Sequence, residues 1–168
     1  MSKTKNIAYI GVLTALYAVA ALTLKVHFGV GDIALDLGYI VLTIACMHFG
    51  WQGAIVGGLG ALLESILFSA YGISYGWIVM NIIIGVICGL IFTKYKSHKY
   101  KFVVFIITII IAVFIGAAVK TAIECSLYSI PYVVKIPKSA LAWIVDSIVM
   151  IIGLPIADRL KSAIKVNR

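Results

Sequence analysis

The sequence predicts an all-α integral-membrane domain of six spans with both termini in the cytoplasm. Three observations predict it. Hydrophobic residues fill 63% of the 168 positions and charged residues only 12%, against about half and about a quarter in a soluble domain. The apolar residues gather in runs near the roughly 20 residues that a spanning helix needs. Basic residues collect in alternate connections, as the positive-inside bias requires.

The spans are expected at about 7–24, 37–49, 53–70, 77–92, 102–123 and 140–157, which together make one membrane domain over 1–168. The first begins after Lys3 and Lys5. Its start also resembles a secretory signal ending in Ala18-Val19-Ala20. The rest of the chain is itself polytopic, so an uncleaved first span is the simpler reading. The second span is short, and the tight join Gly50-Trp51-Gln52-Gly53 makes it a hairpin with the third. The segment Lys25 to Asp36 joins the first two spans outside, and Ser126 to Ser139, with Pro131 and Pro137, joins the last two.

With the N-terminus inside, ten of the fourteen basic residues fall on the cytoplasmic side. They are Lys3 and Lys5, the group Lys94, Lys96, Lys99 and Lys101, and the tail Arg159, Lys161, Lys165 and Arg168. The net charge of +8 is therefore a topology signal, with acidic lipid headgroups as its neighbours. It is not a nucleic-acid footprint.

Several chemistries find no motif. Cys46, Cys88 and Cys125 stand apart, so neither a zinc site nor a redox pair is expected. His27, His48 and His98 are scattered, and no metal or cofactor is expected. The stretch GAIVGGLGALLES lacks the Gly-Lys-Ser/Thr of a phosphate loop, so the chain has no ATPase of its own. Gly53, Gly57 and Ala61, four apart, let helices approach closely.

Polar residues inside spans carry the functional signal, because ionisable groups there are costly and face a cavity or a partner. Glu64 and Ser65 lie in the outer half of the third span, and Trp77 and Asn81 near the outer end of the fourth. Lys120 and Glu124 lie near the outer end of the fifth, and Trp143, Asp146 and Ser147 in the outer half of the sixth. The inner halves carry almost none, the pattern of an outward-facing binding cavity. The first outer loop adds Lys25, His27, Asp32 and Asp36. Each residue has a plainer reading. Lys120 and Glu124, at i and i+4, neutralise each other, or Asp146 pairs with Lys120. Glu64 and Asn81 bond between helices, and Trp77 and Trp143 anchor the interface. On the first span, Gly11, Ala15 and Ala18 form a small-residue stripe on which another helix can dock, from this chain or from a partner.

The size, the six spans, the basic start before a small-xxx-small helix, and the segment DIALDLGYIVLTIACMHFGWQGAIVGGLGALLES together resemble the substrate-binding S components of energy-coupling factor (ECF) vitamin transporters. The segment is similar to the family's loop, its short helix from near Leu-Gly-Tyr, its Phe-Gly turn and its Gly/Ala-rich helix. The resemblance implies a non-catalytic subunit in a bacterial or archaeal cell membrane. Such a subunit binds a micronutrient from outside and works with a transmembrane coupling subunit and two ATPases. It also implies that the family's Ala-x-x-x-Ala docking motif falls on Gly11 and Ala15, with glycine replacing the first alanine, and that Lys25 to Asp36 covers the substrate. The acids Asp32, Asp36, Glu64, Glu124 and Asp146 outnumber Lys25, His27 and Lys120. A buried carboxylate needs a donor or a cation, so the expected ligand is a cationic or donor-rich heterocycle rather than a polyanion such as folate. A small membrane enzyme would show a catalytic constellation, and an autonomous carrier would show repeats and broken helices. Neither is evident.

Overall fold

The computed structural model describes residues 3–23, 26–27, 34–68 and 72–160. Six helices run in chain order: α1 (Lys3–Thr23), α2 (Gly38–Phe49), α3 (Gly53–Phe68), α4 (Tyr75–Tyr95), α5 (Lys101–Tyr128) and α6 (Tyr132–Leu160). A single 3₁₀ turn, Gly50–Gln52, separates α2 from α3. Between α1 and α2 the chain forms a two-residue antiparallel ladder of β1 (Val26–His27) and β2 (Ala34–Leu35), with Val26 opposite Leu35 and His27 opposite Ala34.

Side-chain and backbone approaches fix the helix directions. Asn6 Nδ2 donates to Gln52 Oε1 at 3.0 Å, and the Tyr17 ring lies on Gly60, so α1 and α3 run parallel. Gly53 sits on Cys46, and Gly57 on Leu42. One straight helix would separate residues 42 and 57 by roughly 22 Å, so α2 and α3 fold back on each other. Gly57 also meets Asn81, and Gly89 meets Gly50, which makes α3 and α4 antiparallel. Lys101 pairs with Asp158 at 2.8 Å, and Thr121 Oγ1 donates to Ser139 Oγ at 2.6 Å, so α5 and α6 are antiparallel. In consequence α2, α4 and α6 begin at one end of the bundle, the upper end, where α1, α3 and α5 finish.

Five segments are long and apolar enough to cross a membrane: Thr4–Thr23, Gly38–Leu67, Tyr75–Tyr95, Lys101–Tyr128 and Tyr132–Leu160. By this measure five segments qualify where six spans were expected, because α2 and α3 fall within one of them. The 12 residues of α2 extend only about 18 Å, well short of a hydrocarbon core of about 30 Å, and by length only the combined α2–α3 segment qualifies. The sixth expected span also begins too late, at residue 140. Helix α6 opens at Tyr132, where the Pro131 carbonyl accepts the N–H groups of Val134 and Lys135 at 3.1 and 3.2 Å. Pro137 lies inside the helix and removes one donor. Those turns are exposed, so the freed carbonyl is not forced into the core.

The core runs along the bundle axis through Tyr17, Leu42, Met80, Ile84, Ile109 and Met150. Large apolar side chains also cover the outside, among them Val12, Leu90, Ile111, Phe114, Ile148 and Ile152. Helices apolar on every face suit a lipid surround.

Candidate functional site

All six helices bring polar or aromatic groups to one layer near the upper end. On α1, Tyr17 projects across Gly60 of α3, where a larger residue would meet its ring. The Tyr17 hydroxyl reaches α4 and donates to Asn81 Oδ1 at 3.1 Å, and Asn81 Nδ2 donates to the Trp77 carbonyl at 2.9 Å. The Trp77 ring packs edge-on against Tyr39 of α2, with centroids 6.0 Å apart. On the other helix flanking α4, Lys120 of α5 holds its ammonium 4.0 Å from the Trp77 ring centroid, close enough for a cation–π attraction.

Three carboxylates join this layer from different elements. Asp36, before α2, is buried and its Oδ1 accepts the N–H of Gly38, the first residue of that helix, at 2.7 Å. Glu64 comes from α3. Asp146 of α6 is only 2% exposed. All three lie within electrostatic reach of the Tyr17 and Tyr39 hydroxyls. Ser65 and Ser147 are buried alongside Glu64 and Asp146. Among the described residues no three His, Cys, Asp or Glu side chains converge as a metal cluster would. The acids line the layer from several sides instead.

The helices α2 and α6 are held in a fixed register below it. Thr43 Oγ1 lies 3.2 Å from the Met150 carbonyl, and His48 Nε2 lies 2.9 Å from the Ala157 carbonyl. One turn higher, the same register sets Tyr39 level with Asp146 and Ser147.

The predicted residues thus sort into groups. Asp36, Glu64, Trp77, Asn81, Lys120 and Asp146 come together. Asn81 also makes the interhelical bond that was its plainer reading. Glu124 Oε2 pairs with Lys135 of α6 at 2.6 Å, clipping the top of α5 to α6. Glu124 is buried, so a Glu124→Gln variant is expected to lower the melting temperature, by about 1–2 kcal/mol of stability for a lost charge-assisted bond, while ligand affinity stays unchanged; parallel melting and binding curves check it. Trp143 stands apart from the layer. Its Nε1 donates to the Ile110 carbonyl at 3.0 Å and its ring meets Phe114 edge-on, on the outward seam of α5 and α6. Lys25 and Asp32 lie outside the described residues, and His27 is placed only by its backbone in the ladder. Tyr17 and Tyr39 also enter the layer, though sequence reasoning singled out neither by number. Their signal was a polar tip on an otherwise apolar ring within a span.

The stripe on α1 divides. Gly11 and Ala15 face outward, and nothing lies within 4 Å of a Cβ built on Gly11. Ala18 is buried and lines a shallow apolar groove of about 430 Å³ with Ala15, Val19, Leu22, Leu63 and Leu67 between α1 and α3.

Comparison with known proteins follows the same lines. A family model described as the ECF-type riboflavin transporter S component matches residues 1–162. The crystal structure of the S component for biotin from an ECF-type ABC transporter superposes with a TM-score of 0.66 over 96% of this chain and 95% of that one, at 16% identity. No curated protein sequence matches. Family match and shared fold agree, and the chain belongs to the ECF-type riboflavin transporter S component family, the membrane-embedded, non-catalytic subunits that bind substrate for vitamin uptake while partner subunits hydrolyse ATP.

Proposed function

We propose that this chain captures a flat, uncharged or cationic, donor-rich heterocycle from the outer face of a bacterial or archaeal cell membrane, with riboflavin as the first candidate. One observation carries the reading: Asp36, Glu64 and Asp146 lie within electrostatic reach of the Tyr17 and Tyr39 hydroxyls, Tyr39 packs edge-on against Trp77, and Lys120 is stacked on Trp77. Aromatic faces suit a planar ring, and ionised carboxylates accept hydrogen bonds but donate none. A flavin brings a planar ring system, an imide N–H and a chain of hydroxyls, and carries no formal charge. Biotin brings a carboxylate that this acidic layer disfavours. Titrating purified protein with riboflavin, biotin and folate tests the choice. Quenching of flavin fluorescence with no retention of the other two is the expected result. Retention of biotin or folate without riboflavin would overturn it.

The orientation belongs to the same proposal. The helix directions put Lys94, Lys96 and Lys99 at the lower end with the start of α1 and the finish of α6. The positive-inside bias then makes the lower end cytoplasmic and the upper, polar layer external. The α2–α3 hairpin counts as two opposed passes, which keeps both termini inside. Strand β2 of the described ladder lies against α6, just before Asp36, where a cover over the ligand belongs.

Delivery inward needs an energy source that this chain does not carry, so we place a transmembrane coupling subunit and two ATPases as its partners. The exposed face of α1 at Gly11 and Ala15 is the docking surface, since small residues permit close helix approach. Replacing either with tryptophan is expected to abolish co-purification of the coupling subunit while riboflavin affinity stays within about twofold. Both residues lie outside the binding layer, and exposed substitutions away from special features change little. Intact assembly in both variants would remove the assignment.

A further inference from the structure

Two hydroxyls in the layer have no role in the framework. Tyr39 is fully buried and Ser147 is 6% exposed, yet neither Tyr39 Oη nor Ser147 Oγ has a hydrogen-bond partner among the described residues. The contrast with Tyr17 is sharp, because its hydroxyl is bonded to Asn81. Buried polar groups are nearly always satisfied, and one left bare costs about 1–3 kcal/mol. The α2–α6 register sets both hydroxyls level with Asp146. The Asp146 carboxylate thus shares its level with two hydroxyls that are able to donate.

We infer that Tyr39, Ser147 and Asp146 form a specificity-determining edge that reads adjacent N–H and C=O groups of a cyclic amide, imide or ureide. The N–H of such a ring donates to the Asp146 carboxylate. The flanking carbonyls accept from Tyr39 and Ser147, which no carboxylate could serve. This rests on the reading that the layer binds a heterocycle, and it adds which edge of the ring is recognised and by which atoms. A ligand with such an edge would satisfy both hydroxyls.

The two states give opposite signs. In ligand-free protein, Tyr39→Phe removes a hydroxyl that bonds to nothing, so the melting temperature is expected to hold or rise. Riboflavin affinity is expected to fall by about tenfold or more in Tyr39→Phe and in Ser147→Ala, the loss of one hydrogen bond to a buried partner. N3-methylriboflavin, which lacks the imide N–H, is expected to bind wild-type protein at least about tenfold more weakly than riboflavin. A lower melting temperature for ligand-free Tyr39→Phe overturns the inference, because the hydroxyl would then be structural. Unchanged riboflavin affinity in both variants, or equal binding of the methylated flavin, overturns the inference and leaves the flavin reading standing. Absence of riboflavin binding by the wild type overturns both.

Discussion

Replacing Asp146 with alanine is expected to weaken riboflavin binding by about 10- to 100-fold, the loss of one charge-assisted hydrogen bond at about 1.5–3 kcal/mol. The residue is 2% exposed on α6 and level with Tyr39. Any ligand entering the layer meets this carboxylate in surroundings from which water is largely excluded, and an ionic hydrogen bond is worth most there. Asp146→Asn separates charge from shape. A ligand that donates an N–H loses the ionic part of its bond and binds less tightly to the asparagine variant. An anionic ligand is relieved of repulsion and binds more tightly. Isothermal titration of wild type and both variants reads the sign directly. Unchanged affinity in both variants would detach Asp146 from the ligand, and tighter binding in Asp146→Asn would reverse the charge argument altogether.

The depth of this site was legible in the sequence, and its direction was not. A carboxylate in an apolar run stands out wherever it falls, so Glu64, Lys120 and Asp146 announced a common level. Which way each side faces is a matter of angle about the helix axis. A membrane helix with apolar residues on every side gives almost no amphipathic stripe from which to read that angle. Trp143 and Asp146 are three apart on α6, yet one bonds at the α5 seam and the other enters the layer. Glu124 and Lys120 are a turn apart on α5, yet one finds Lys135 and the other Trp77. Those pairings are decided by neighbouring helices, which spacing along one chain does not encode.

The fold shows the same division. Apolar runs located α1, α3, α4 and α5 closely. Helix α6 was cut short because Pro131, Lys135, Pro137 and Lys138 together look like a connection. Above the apolar zone a helix tolerates such residues, since water is available to the backbone. The tiny β1–β2 ladder left no trace because a two-residue strand has no period to detect. The hairpin of α2 and α3 was visible in its glycines, but its depth was not. Twelve apolar residues are compatible with a short span or a half-span, and only the packing of Leu42 on Gly57 and Cys46 on Gly53 fixes the reversal.

The largest stability effect is expected at the lower end of that hairpin. Gly50 adopts φ +65° at the turn, a backbone region open to glycine at little cost, and its carbonyl lies directly on Gly89 of α4. A Cβ at residue 89 would collide with that carbonyl oxygen and carbon and would stand 2.7 Å from the Trp51 nitrogen. The obstacles are backbone atoms, which have no rotamer by which to retreat. Gly89→Ala gains about 1 kcal/mol of helix propensity. Against this, overpacking on a rigid surface costs about 1–3 kcal/mol and sometimes more. Backbone collision sits at the top of that range, so the net expectation is a loss of about 2 kcal/mol. Gly11→Ala supplies the control: its Cβ meets nothing within 4 Å, so propensity acts alone and stability holds or rises slightly. The check is thermal unfolding of both variants in the same detergent, with and without riboflavin. Because residue 89 lies roughly 12 Å along α4 from Asn81, ligand is expected to raise the melting temperature of Gly89→Ala as it does the wild type. Equal stability of the two alanine variants would mean that α4 is free to move off the turn, and the close contact of α4 with Gly50 and Trp51 would lose its place as the support beneath the binding layer.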